Sequence, residues 1–223
     1  MKHYDLFPTR VWKTKIDSSL YEKKDIVNTI EKNYSLNPSR NSHFYNSHLH
    51  AYYNDWDNEN FEQIKCDSLL KIYENEIENW VKSLKFKKVV NYNFFVININ
   101  AMKYGQFMHE HDHIDYGKKQ DYKCTYSCVH YIKYNKKQPP TTFVNPTIFG
   151  QYALMTSHMM SYIDTTQEEN SVYLKDWWFN TEEDDFIIFP SYLKHKVDYN
   201  ENQSYDDLRI TSAINILFEV DEK

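Results

Sequence analysis

The order of patterns along this 223-residue chain predicts an α+β fold, because helical periodicities come first and runs rich in β-branched and aromatic residues follow. No internal repeat and no linker-like stretch divides the chain. A single domain over residues 1–223 is therefore expected, with a helical N-terminal support over 1–88 and a β core over 89–220.

The first segment, D-L-F-P-T-R-V-W-K, reads as extended, with Pro8 fixing the backbone ahead of Val11 and Trp12. Ser18 or Ser19 then caps a helix from about Leu20 to Tyr34, with Leu20, Ile26, Val27 and Ile30 on its apolar side. Residues 35–58 are polar and turn-rich, and their His43, His48 and His50 read as part of a surface or substrate-facing loop. From Asn58 to Leu84 the residues Phe61, Ile64, Leu69, Tyr73, Ile77, Trp80, Val81 and Leu84 recur at helical spacing, so a second helix should lie against a sheet. Strands follow at N-Y-N-F-F-V-I-N-I-N, at Thr125 to Tyr134, at T-T-F-V-N-P, at Asp184 to Pro190, at H-K-V-D-Y, and at the closing R-I-T-S-A-I-N-I-L-F-E-V. Gly105 marks a hairpin turn.

Bulk properties exclude several function classes. The net charge of −6 gives no support for nucleic-acid binding, and three glycines cannot assemble a phosphate-cradling G-x-G-x-x-G loop. Three cysteines without C-x-x-C spacing indicate neither a disulfide framework nor a zinc ribbon, which favours a reducing, cytoplasmic compartment. No apolar run approaches a membrane span, so a soluble protein without a membrane partner is expected.

The densest chemistry lies in Met108 to Tyr116, M-H-E-H-D-H-I-D-Y, with His109, His111, His113 and Asp115 on alternate positions. On an extended segment these would share one face. Two ligands at i and i+2, completed by a distant histidine, build the facial site of non-haem iron and leave three positions open. His195, within F-P-S-Y-L-K-H-K-V, is the distant candidate. On the cluster alone, a histidine-rich surface loop is the competing reading.

Taken together, Phe7 to Trp12, Gly105 to His113, Ser127 to Ile132, Phe189 to Val197 and Arg209 to Asn215 stand in the order found in the Fe(II)- and 2-oxoglutarate-dependent oxygenases. The chain resembles in particular the compact members common in phage and marine bacterial genomes, and H-I-D-Y-G-K-K is also similar to the ligand segment of prolyl 4-hydroxylases. Two residues depart from that pattern: Cys128 and Asp184 stand where the family has glycine, at turns and close packing rather than at the chemistry.

The resemblance implies a double-stranded β-helix (jelly-roll) core with the N-terminal helices packed on its major sheet. It implies Fe(II) as the metal, 2-oxoglutarate and O2 as co-substrates, and ascorbate as an optional reductant. Counting from Gly105 puts the family's H-x-H on His111 and His113, whereas His113 with Asp115 supplies the carboxylate usual in a facial triad; both registers share His113, and His195 completes either. Arg209 would take the distal carboxylate of 2-oxoglutarate, Thr211 would add a hydroxyl on the same face, and Tyr104 and Tyr131 would assist by analogy. Asn98, Asn100 and Asn215 are expected to line the pocket. The implied activity is hydroxylation of a carbon on a peptide, protein or small-molecule substrate, with a peptidyl residue such as proline first, in a host cytoplasm if the chain is phage-encoded. The rivals are a three-histidine, cupin-like dioxygenase that needs no 2-oxo acid and a non-catalytic β-helix binding module.

Overall fold

A computed structural model describes residues 9–36, 50–51, 62–114, 122–147, 162–164, 167, 174–199 and 206–219. Among the described residues, two antiparallel sheets in a jelly-roll arrangement are built from ten strands: β1 Trp12–Lys15, β2 His50–Ala51, β3 Tyr92–Met102, β4 Met108–His111, β5 Tyr122–Lys133, β6 Thr141–Val144, β7 Asp176–Trp177, β8 Asp185–Pro190, β9 His195–Val197 and β10 Arg209–Glu219. The major sheet runs β1-β8-β5-β10-β3-β2 and the minor sheet β4-β9-β6-β7. Helices α1, Lys23–Leu36, and α2, Asp67–Ser83, precede most of the strands.

Alternation along the major sheet divides its residues between two environments. Cys128, Ile132, Phe186, Ile188, Ile210, Ile214 and Ile216 share an apolar cluster with Ile26 and Ile30 of α1 and Leu69, Tyr73, Ile77 and Trp80 of α2. Tyr73 stacks on Phe186 at 5.6 Å, and Trp80 meets Tyr126 edge-on at 4.7 Å. The opposite positions, Val129, Tyr131, Ile187 and Phe189, gather with Phe143 of β6 and Leu193 in a second cluster between the sheets. Arg209, Thr211, Ala213 and Asn215 of β10 alternate toward this interior, where the site lies.

Element boundaries shift where side chains compete with propensity. The first helix begins at Lys23 rather than Leu20, after a 3₁₀ turn at Ser18–Leu20. Asp17, not a serine, caps that turn by accepting from Ser19 N–H at 2.9 Å, and Leu20 is left exposed instead of joining the apolar side. The second helix starts at Asp67, not Asn58. Residues just ahead of it stay non-helical because the Asn33 amide pairs with the Glu62 backbone, donating to its carbonyl at 2.8 Å and accepting its N–H at 3.0 Å. Asn33 thereby satisfies backbone groups as a neighbouring strand would.

Gly105, with φ of +85°, makes the turn between β3 and β4. Asp184 takes a φ of +67°, which explains why glycine suits the position, and aspartate is among the few side chains that tolerate it. Its carboxylate accepts two 2.7 Å contacts from Lys23 Nζ and one at 3.1 Å from the Tyr21 hydroxyl. Burial works to raise its pKa, but His130, Lys23 and Tyr21 outweigh that and hold it below the usual range. Asp184→Ala is expected to destabilise by roughly 2–4 kcal/mol through loss of this partly buried charge pairing. Asp184→Gly loses the same contacts without the left-handed backbone penalty and should cost about 1 kcal/mol less. Equal midpoints for the two variants in denaturant titrations would contradict the backbone part of this account.

Candidate metal centre

His111 is the last residue of β4 and faces His195, the first of β9, directly across the antiparallel ladder. Their ring centroids lie 4.3 Å apart. His113 lies past the end of β4, where its N–H donates to the Ser191 carbonyl at 2.9 Å and its ring comes 5.3 Å from His111 and 5.1 Å from His195. One potential ligand atom from each of the three histidines falls within 4.8 Å of the others, and they form a group able to hold a metal ion among the described residues.

The cluster is not assembled by simple alternation. Three steps along β4, from Met108 to His111, match two along β9, from Val197 to His195, so an irregularity of the bulge kind interrupts the ladder. Met108 and His111 both line the interior cavity as a result. His109, which alternation would have placed with them, is exposed, with its ring edge-on to Phe107 at 4.9 Å. Asp115 lies outside the described residues, as do His43 and His48, while His50 opens β2 opposite Ala101.

Each of the three rings uses Nδ1 in a hydrogen bond. His111 Nδ1 donates to the His109 carbonyl at 2.8 Å, His195 Nδ1 to the Leu193 carbonyl at 3.0 Å, and His113 Nδ1 to Asn215 Oδ1 at 2.7 Å. These acceptors fix the Nδ1–H tautomer, so that a metal would be taken through Nε2, the arrangement that orients metal-bound imidazoles. Burial pushes all three pKa values down, His113 to about 4 and His195 well below the ordinary value, where the neighbouring rings add to the effect. Neutral imidazoles at neutral pH are the form a metal requires, so the donor set fits a divalent transition metal such as Fe(II).

The cavity that holds these histidines is also lined by Ile97, Asn98, Asn100, Thr141, Phe189, Arg209 and Thr211. Arg209 is 1% exposed. Its Nε donates to the Pro139 carbonyl at 2.9 Å, Nη1 to Thr211 Oγ1 at 3.3 Å and Nη2 to Thr141 Oγ1 at 3.3 Å. The guanidinium sits over the Tyr131 ring at 5.2 Å, within cation–π range. Among the described residues it has no carboxylate partner. An unpaired buried charge is costly, so a bound anion would stabilise the guanidinium.

Tyr131 is fully buried and its hydroxyl accepts the Thr141 N–H at 2.8 Å, so it stands behind Arg209. Tyr104 is 38% exposed and is not among the cavity-lining residues. Asn98 and Asn100 line the cavity as expected, whereas Asn215 lies behind His113. Sequence reasoning did not single out Thr141 or Met108. Thr141 had a signal in the alternation of T-T-F-V, but nothing in the sequence showed that this strand would end beside Arg209.

Residues 98–215, more than half of the chain, match the family described as "Putative 2OG-Fe(II) oxygenase". The chain belongs to that family of Fe(II)- and 2-oxoglutarate-dependent oxidoreductases. No curated protein matches it. The viral collagen prolyl hydroxylase of Paramecium bursaria Chlorella virus-1, solved with 2-oxoglutarate, aligns at TM-score 0.51 and 13% identity over 93% of this chain and 95% of its own. A prolyl hydroxylase from Trichoplax adhaerens, solved with a hypoxia inducible factor oxygen degradation domain peptide fragment, aligns at TM-score 0.52 and 9% identity over 94% and 83%. At these identities the likeness concerns the fold. Among the described residues, no helix is long and apolar enough to cross a membrane.

Proposed function

We propose that the protein is an Fe(II)- and 2-oxoglutarate-dependent dioxygenase in which His111, His113 and His195 hold iron and Arg209 with Thr211 binds the distal carboxylate of 2-oxoglutarate. The observation that carries this reading is the fully buried Arg209, without a carboxylate partner among the described residues, in the same cavity as three neutral histidines. Asp115 is the alternative to His111 in the ligand set.

The bound iron with its 2-oxo acid supplies oxygen activation, with release of succinate and CO2 and hydroxylation of a carbon on a second substrate. The chain's own residues do the rest. Nδ1 hydrogen bonds keep the imidazoles oriented, and the Arg209 fork selects a dicarboxylate of the right length, because a planar guanidinium matches a carboxylate in two bonds. Thr141 and Thr211 accept from the two Nη atoms and fix the plane of that fork. The buried Phe189, with its ring 4.8 Å from His195, helps keep water from the metal-facing side.

For the second substrate, a peptidyl residue such as proline is the leading assignment, on the H-I-D-Y resemblance and the acidic net charge; the prolyl hydroxylase neighbours are in keeping with it. The three-histidine, cupin-like alternative gains from the grouping of His111, His113 and His195, but gives the buried Arg209 nothing to bind. Many oxygenases of this kind turn over 2-oxoglutarate slowly without their prime substrate, so the deciding measurement is succinate formation by untagged protein. Succinate dependent on Fe(II), O2 and a reductant is the expected result. Iron binding without any 2-oxoglutarate consumption would move the assignment to the cupin-like alternative.

A further inference from the structure

We propose that Asn215, assisted by Ser127, is a positioning residue of the metal centre that sets the tautomer and ring plane of His113; this rests on the reading of His113 as a ligand. His113 differs from the other two histidines in lying beyond the end of its strand. Its anchors come from the turn after β8 and from β10. The Ser191 carbonyl accepts its N–H at 2.9 Å, and Asn215 Oδ1 accepts its Nδ1–H at 2.7 Å.

Asn215 Oδ1 also accepts the Ser127 hydroxyl at 3.0 Å, and Ser127 Oγ lies 3.0 Å from both His113 Nδ1 and Ser191 Oγ. Cys124 Sγ, 3.1 Å from Ser191 Oγ, ends the chain. One consistent assignment runs the donors from Cys124 to Ser191 to Ser127 to Asn215, where they meet the His113 proton coming the other way. In that arrangement Oδ1 is the acceptor on which the network converges, with Nδ1 of His113 as one of its donors.

The burial of Asn215 argues that this is its purpose. It is fully buried near the middle of β10, and its Nδ2 finds no hydrogen-bond partner among the described residues. A buried donor left unpaired destabilises a fold, so stability alone would favour an apolar residue here. Half of the amide is spent to obtain the other half, an acceptor beneath a histidine. A neutral amide acceptor fixes the ring without making it as basic as a carboxylate would.

The test is Co(II) titration of the purified apoprotein, followed by its visible d–d absorption, with folding of each variant checked by circular dichroism. Wild type should bind one Co(II), and His113→Ala should lose most of that affinity. Asn215→Ala is expected to weaken binding 10- to 100-fold, the range typical of lost partners to ligand histidines, and to shift the absorption band. Asn215→Asp should restore affinity to at least the wild-type level, again with a shifted band, because it returns an acceptor to Nδ1. Wild-type-like binding by His113→Ala would overturn the ligand reading itself. Loss in His113→Ala combined with wild-type affinity and band in Asn215→Ala would overturn the positioning role alone, as would equal weakening in the Ala and Asp variants. Should Asn215→Ala not fold, Asn215→Asp decides: an unchanged band and affinity would overturn the proposal.

Discussion

His195→Ala is expected to fold and to lose iron. The residue is 6% exposed and faces His111 across the β4–β9 ladder, and among the described residues its ring hydrogen-bonds through Nδ1 to the Leu193 carbonyl. Replacing a partner of a ligand histidine typically costs 10- to 100-fold in metal affinity, so losing the ligand itself from a three-residue set should cost more than roughly 100-fold. His113→Ala should behave alike, because both registers of the cluster include it. His109→Ala should keep full iron, since its ring stands against Phe107 and points away from the cavity. The measurement is iron content after anaerobic loading and desalting. Comparing His111→Ala with Asp115→Ala then fixes the register, and full retention of iron in His195→Ala would sink the assignment of this centre.

That comparison is needed because of what periodicity can and cannot encode. The longer strands and the glycine turn were legible, since β3, β5, β8 and β10 are rich in β-branched or aromatic residues and Gly105 needs its positive φ, whereas the two-residue strands β2 and β7 carried no such signal. The identity of the distant histidine was legible too, because F-P-x-x-x-x-H ends one strand and begins the next. Which members of the His109, His111, His113 set converge was not. A period of two assumes an unbroken ladder, and the irregularity between Met108 and His111 turns His109 outward. The start of α2 was hidden for a similar reason: helical spacing continued through Ile64, but a long-range amide pairing between Asn33 and Glu62 claimed the backbone first. The glycine-to-aspartate departure at Asp184 signalled a turn, while its left-handed φ and the ion pair with Lys23, 161 residues away, came only with the structure. Local patterns carried the elements, and contacts between remote residues carried their boundaries.

Arg209→Ala should leave iron bound while raising the apparent 2-oxoglutarate constant steeply. The guanidinium is buried on β10, 14 residues beyond His195 in sequence, and among the described residues its hydrogen bonds run to neutral acceptors: the Pro139 carbonyl, the Thr211 and Thr141 hydroxyls and the Met102 sulfur. Those bonds hold its plane but do not neutralise it, so a bound carboxylate would complete the site. Losing a buried charge-assisted fork costs on the order of 2–5 kcal/mol, which is roughly 30- to several-thousand-fold in affinity. Arg209→Lys should recover only part of this, because a flexible ammonium cannot present two parallel donors and loses the stacking over Tyr131. The effect should appear in the 2-oxoglutarate dependence of succinate formation and in anaerobic titration of the iron-loaded protein, with metal content unchanged. The sharper arm is the length of the acid: if Arg209 reads the distal carboxylate, pyruvate, which chelates a metal through the same 2-oxo acid but lacks that group, should bind wild type and Arg209→Ala equally weakly. Unchanged 2-oxoglutarate affinity in Arg209→Ala would falsify the carboxylate role and return weight to a three-histidine enzyme that uses no 2-oxo acid.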